Sequence, residues 1–378
     1  MLIALGFLYI AAGLVRFLPA PTLWIWKMTV VTTEFGHFLA VPALIIAIFT
    51  LTKHKPWAFV IYMLAALVLL TPSIESYFFG KTLNSQLVAT FGTRAELPST
   101  SGFSFRKAFL PSDAQSVTPR KVSFTRPDGS LGLFYFYGAT GSSTQAAPLV
   151  ISIHGGSWNS GDPLQLPELN SVLAHAGYAV AAINYRFIES SPWPAQKNDV
   201  LAGVAWIRAH ASEYSIDPNQ LVILGRSAGG QIAETVAFDP PEELKPAVRG
   251  CISFYAPADM NFAYKFGTED DLLKSLALVR SFLGGTPDQM QNNYHTASGY
   301  DFVGSSTPPT LLLHGLNDQL VWYRQSERLR DKMKAAHRAV LLLEFPWATH
   351  GFDYNINGPS GQLSTEAILA FMSSVTRL

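Results

Sequence analysis

Residues 221–238 read LVILGRSAGGQIAETVAF. The apolar run LVIL has the length and branching of a buried strand, and AGGQIAETVAF has helical spacing. Ser227 stands at the reversal between them. A strand-to-helix turn this tight needs small residues two before and two after its apex, and Gly225 and Gly229 supply them. The resulting G-x-S-x-G pattern exposes the serine oxygen. It also sets the backbone N–H of Ala228 at a helix N-terminus, where developing negative charge is favoured. Read alone, the motif is only moderately specific and also fits a glycine turn around a buried serine, so its surroundings must decide. Arg226 needs its own reason. The expectation is that its guanidinium points away from the serine oxygen and pairs with an acid beneath the turn, because a bare buried cation is costly.

Working outward, short apolar runs alternate with longer helical patterns. Strands are predicted at 121–125, 131–137, 148–153, 179–184, 221–224, 251–255, 310–313 and 339–345. Helices are predicted at 166–176, 195–213, 229–237, 323–336 and 364–375. Such alternation implies an α/β fold, a mostly parallel eight-stranded sheet with helices on both faces.

HGGSW, His154–Trp158, directly follows the third strand. Glycines there let the backbone approach a substrate, and the loop is the expected seat of oxyanion donors. The predicted donors are the N–H groups of Gly156, Ser157 and Ala228. A serine needs a base, and the base an orienting acid, in the chain order Ser, acid, His. His350, in FPWATHGFD after the last strand, is the expected base. His295 lies in a polar segment, His337 in an amphipathic helix, and His314 reads as a packed residue beside the acid turn. Asp318, in HGLNDQLV, is the expected acid, with Asp259 in YAPADM as its rival one strand earlier. Trp158, Trp193 and Trp347 lie near these motifs and are tentative pocket walls, each equally compatible with an ordinary core position. Residues 261–296 are long enough for a cap. The sequence has no metal-binding motif, phosphate loop or dinucleotide fingerprint, so neither metal nor cofactor is expected.

The chain has 378 residues, 27 basic and 27 acidic, so net charge gives no electrostatic case for nucleic acid. A single cysteine, Cys251, excludes an intrachain disulfide. Charged residues make up 14% of the chain against about 25% in typical soluble domains. The deficit falls in the first eighty residues, where three apolar blocks occupy 2–18, 35–52 and 57–73. A spanning helix needs about 20 apolar residues. Blocks two and three qualify, and block one does if Arg16 snorkels to the headgroups. Two spans, a signal peptide, or buried core helices are the alternatives. Tryptophans 24, 26 and 57 at the block edges favour about three transmembrane helices in contact with the lipid bilayer. Loop charges (Arg16, Lys27, Lys81 and Arg94 against Lys53 and Lys55) lean toward a cytoplasmic domain. Glu34 and His37 are expected to form a structural pair on one helical face. The expected organisation is a transmembrane helical region at 1–80, a linker and entry segment at 81–120, and the sheet domain at 121–378.

Together HGGSW, NYRF (184–187), SPWPAQ (191–196), GRSAGG, LLLHGLND and THGFD resemble the α/β-hydrolase superfamily, most closely its hormone-sensitive-lipase-like carboxylesterases. The resemblance covers roughly residues 120 to 378. It implies an α/β-hydrolase fold and a serine esterase that works through an acyl-enzyme without a cofactor. Ser227 would then be nucleophile, His350 base and Asp318 its orienter. Two departures stand out. Ser157 replaces the third glycine of the usual HGGG loop, and Arg226 replaces the usual Asp, His or Glu. The membrane-anchored arrangement resembles prenylcysteine methylesterase-like and arylacetamide-deacetylase-like enzymes in architecture. The implied partner is a small-molecule or lipid ester. The same triad also serves acyltransferases and peptidases, and a hydrolase-like binding protein is a further class.

Overall fold

A computed structural model describes residues 2–99, 101–111, 116–141 and 145–377. Four helices open the chain: α1 (Leu2–Leu14), α2 (Leu23–Glu34), α3 (Gly36–Thr52) and α4 (Pro56–Phe91). A short α5 (Phe105–Ala108) leads into the sheet domain. Its strands are β1 (Arg120–Thr125), β2 (Leu131–Tyr137), β3 (Ala147–Ile153), β4 (Ala179–Ile183), β5 (Ile216–Arg226), β6 (Val248–Phe254), β7 (Thr310–Gly315) and β8 (Val340–Phe345). They form one sheet in the order β1-β2-β4-β3-β5-β6-β7-β8. Only the β1–β2 and β2–β4 pairings are antiparallel. Every residue of β3 and β4 is buried, which is why both read as nearly continuous apolar runs, with Ser152 the one polar residue of β3.

Helices α6 (Pro167–His175), α7 (Ala195–Ala209), α8 (Ala228–Phe238), α12 (Arg324–Ala335) and α13 (Pro359–Val375) cover the sheet. Between β6 and β7 run α9 (Met260–Phe266), α10 (Ser275–Leu283) and α11 (Gln291–Thr296). Two cores result, one on each face. Ile151, Ile223 and Ile232 belong to one; Val150, Val222 and Phe371 belong to the other.

The N-terminal region departs from three separate spans. Among the described residues one helix, α4, is long and apolar enough to cross a membrane, or two spans if α2 and α3, bent by 73° at their junction, count as one. α1 is too short. Arg16 does not snorkel: it is buried, and its Nη2 donates to Glu75 Oε1 at 3.1 Å. Lys27 lies within α2 rather than in a loop, so it leaves the loop-charge count. Glu34 and His37 are not partners, because the break at Phe35 separates their helices. Glu34 receives the Ser360 hydroxyl at 2.7 Å, and His37 Nε2 meets the Ala108 carbonyl at 2.8 Å.

The expected linker also starts later. α4 continues to Phe91, with Leu83 and Leu87 fully buried against the sheet domain and Phe91 packed on Phe371 at 4.9 Å. Apolar residues four apart keep one helical face buried through a stretch whose composition is polar.

Candidate active site

Parallel pairing brings the site together. β3 and β5 are neighbours in register, with Ile153 opposite Gly225, so the loop after β3 lands beside the turn after β5. β7 and β8 end nearby, and the loops after them carry Asp318 and His350. All four segments leave the carboxyl ends of their strands, where open α/β sheets place ligands.

Ser227 has φ 54° and ψ −121°, between the end of β5 and the start of α8. That strained conformation holds only because glycines flank it. A Cβ on Gly225 would lie 2.1 Å from the Gly229 carbonyl oxygen, and one on Gly229 would lie 2.3 Å from the His154 carbonyl oxygen. The Ser227 N–H is anchored on the Phe254 carbonyl at 2.9 Å.

Ser227 Oγ lies 2.9 Å from His350 Nε2, and His350 Nδ1 lies 2.7 Å from Asp318 Oδ2. All three are buried or nearly so. The other carboxylate oxygen of Asp318 accepts the N–H groups of Leu320 and Val321, both at 2.8 Å. Burial alone would raise the Asp318 pKa. The charge that His350 carries when protonated, with hydrogen bonds from His314 and His350, outweighs it and holds the carboxyl well below the usual carboxylate range. An ionised Asp318 fixes His350 with its free ring nitrogen toward Ser227, so the ring can take the hydroxyl proton.

Gly156, Ser157 and Ala228 stand around the serine. Gly156 has φ 124°, and a Cβ there would lie 2.1 Å from the Ser160 carbonyl oxygen. Ser157 itself adopts φ 54°, so the serine that replaces the usual third glycine still takes a left-handed backbone. Among the described residues no acceptor takes the N–H of Gly156, Ser157 or Ala228. Three unpaired donors near a nucleophile are suited to hold an oxyanion.

The other candidates sort by geometry. Asp259 is not beside His350: it caps α9 by accepting the Phe262 N–H at 2.9 Å and pairs with Arg328 at 2.7 Å. His295 is exposed on Asp301, and His337 lies just beyond α12. His314 is more than a packed residue. Its Nε2 is 3.2 Å from Asp318 Oδ2, which makes it a second neighbour of the acid. The spacing of four between His314 and Asp318 was the available signal.

Trp193 and Trp347 do not wall the cleft. Trp193 is buried beneath α10, donating to Thr296 Oγ1 at 2.9 Å, and Trp347 is buried in the second core, donating to Ser360 Oγ at 2.8 Å. Their indole N–H groups find partners inside the fold, so packing rather than substrate claims them. Trp158 is also buried, stacked on Phe282 at 4.1 Å, but it borders an apolar pocket of about 330 Å³ beneath α9 and α10.

Arg226 pairs with Asp353 as expected of a buried cation, and both side chains are more than nine-tenths buried. Tyr255 donates its hydroxyl to the other oxygen of the same carboxylate. Part of Arg226 also borders the cleft, so its atoms are shared between the support and the floor. Asp353, three residues beyond His350, was missed from the sequence, where THGFD gave no reason to link it to residue 226.

The cleft over Ser227 and His350 holds about 370 Å³. Two of its lining residues, Leu23 and Trp26, come from α2 in the N-terminal region. A larger cleft of about 810 Å³ lies by Arg126, Arg186 and Asp199 and touches none of these groups.

Comparison with known proteins places this geometry. The chain is 31% identical over 223 residues to the probable carboxylic ester hydrolase LipM of Mycobacterium tuberculosis, covering 56% of this chain and 50% of LipM. It is 34% identical over 219 residues to the carboxylesterase NlhH of the same organism, covering 54% and 66%. The chain thus spans about half to two thirds of the length of these relatives. Among solved structures, a truncated carbohydrate esterase from gut microbiota aligns with a TM-score of 0.55 at 21% identity, covering 68% of this chain and 98% of that one. A butyrate-bound thermophilic esterase of Thermogutta terrifontis aligns at 0.52 and 23%, covering 63% and 87%. At such identities the likeness establishes the α/β-hydrolase fold. The BD-FAE family pattern matches residues 136–333. That stretch carries Gly156, Ser157, Ser227, Ala228 and Asp318, and it is just over half of the chain, so this chain belongs to the BD-FAE family.

Proposed function

We propose that the chain is a membrane-anchored serine ester hydrolase that forms an acyl-enzyme on Ser227. The hydrogen-bonded series Ser227–His350–Asp318 carries this reading. His350 Nε2 takes the Ser227 proton as Oγ attacks the ester carbonyl. The N–H groups of Gly156, Ser157 and Ala228 hold the resulting oxyanion. His350 then gives its proton to the departing alcohol, leaving the acyl group on Ser227. It next takes a proton from the attacking water and returns it to Ser227 Oγ as the acid leaves, which restores the serine. No step needs a metal or cofactor.

The relatives named as ester hydrolases support the substrate class. The anchor rests on surface chemistry. Most exposed large apolar side chains lie before residue 68, among them Ile45, Ile48 and Phe49 on α3 and Trp57, Leu64 and Leu67 on α4. A soluble monomer rarely leaves so large an apolar face uncovered. α9 to α11 form the cap.

A fluorophosphonate probe tests the nucleophile. The full chain should be labelled, and Ser227→Ala should lose both the label and hydrolysis of p-nitrophenyl butyrate. Labelling that persists in Ser227→Ala would defeat the assignment.

A further inference from the structure

α2 belongs to the N-terminal apolar region, yet it is fixed against the cleft at both ends. Before it, Gln319, the residue after Asp318, receives the Ala20 N–H and donates to the Leu18 carbonyl at 3.0 Å. At its end, Glu34 accepts the Ser360 hydroxyl at 2.7 Å and the Ser360 N–H at 3.1 Å, and its carbonyl accepts from Asn355 at 2.9 Å. Ser360 in turn accepts from Trp347. Both anchor points flank the loops that carry the acid and the base. Between them Leu23 and Trp26 face the cleft.

The side of the cleft matters. A Cβ built on Gly351, the neighbour of His350, would lie 3.6 Å from the Trp26 ring. The base must reach the departing oxygen to protonate it, so the alcohol half of an ester sits on the His350 side of Ser227. Leu273 and Leu320 border both this cleft and the apolar pocket beside Trp158, which leaves that second pocket for the acyl half. Beside the wall, Leu18 and Trp24 are exposed, and Leu23 itself is partly exposed.

We propose that α2 is the alcohol-binding wall of the active site, and that Trp26 and Leu23 select esters whose alcohol half is long and apolar. This rests on the ester-hydrolase reading and adds to it which half of the substrate the N-terminal region recognises. Such a wall favours alcohols presented at a lipid surface, because the same helix bounds the cleft and joins the apolar face.

The test uses the full chain in phosphatidylcholine vesicles and two substrate series. One varies the alcohol, octyl acetate against ethyl acetate. The other varies the acid, p-nitrophenyl octanoate against p-nitrophenyl acetate. In Trp26→Ala the octyl-to-ethyl ratio of kcat/KM should fall about tenfold, while the octanoate-to-acetate ratio moves less than about twofold. Trp26→Phe should keep most of the alcohol preference. Leu23 is 45% exposed, so Leu23→Ala does not disturb the core and should shift the same ratio in the same direction. If Trp26→Ala does not fold, Leu23→Ala decides by the same criterion. Both ratios falling alike means that α2 only supports the fold, and neither falling means that it does not touch substrate; either overturns the inference. Absence of ester turnover in the unaltered chain, with no probe on Ser227, would instead overturn the ester-hydrolase reading and this inference with it.

Discussion

Arg226 and Asp353 are buried one and three positions from Ser227 and His350, so their pairing ties the nucleophile turn to the base loop. Burial disfavours the Arg226 charge, but Asp353 more than compensates and its pKa rises. Burial, reinforced by the Asp353 charge, pushes the Tyr255 hydroxyl well above its ordinary value, so it stays a donor to that carboxylate. Removing one partner would leave the other charge uncompensated. Asp353→Asn should therefore cost about 3–5 kcal/mol in urea unfolding, whereas the double replacement Arg226→Met, Asp353→Leu should recover most of it. Gly156 makes a second test at this scale. Its φ and the closeness of Ser160 leave no room for a side chain. Gly156→Ala should lower kcat by about 10² to 10³ with KM little changed, measured on p-nitrophenyl butyrate.

α8 carries a cost as well as a function. Glu234 is fully buried nearly two turns into the helix, with Ser253 donating to Oε1 at 2.7 Å and Oε2 without a partner. Burial pushes its pKa from 4.5 up to about 8. Between those values the folded chain holds a proton that the unfolded chain has released, so stability falls as pH rises through that window. Glu234→Gln removes the titration. Its melting temperature should match that of the unaltered chain near pH 5 and exceed it increasingly toward pH 8. A constant gap across that range would show that Glu234 is ionised in the fold.

α4 joins the two parts of the molecule. At 36 residues it is about 54 Å long, so one half can lie among apolar helices while the other packs on α13 and β8. Leu87 is fully buried in the core that also holds Phe345 and Trp347. Leu87→Asp would bury an unpaired charge there and should cost about 3–5 kcal/mol, read from the fluorescence melt of the tryptophans. If the helix were merely a tether, the substitution would leave that melt unchanged.

The strands, the serine turn and the order of Ser227, Asp318 and His350 were legible because each depends on local pattern: a buried apolar run, glycines at fixed offsets, a loop after a strand. The tryptophans were not, since nearness in sequence does not say whether an indole faces solvent or core. Arg226 declared its need for an acid through the cost of burying charge, but Asp353 is 127 residues away and only strand order brings it near. Leu23 and Trp26 carry no motif at all. Sequence by itself determined which residues can do chemistry, because that is written in short-range backbone and burial requirements. Tertiary structure alone decided who stands beside them, since the packing of α2 against the carboxyl end of the sheet depends on contacts some three hundred residues apart in the chain.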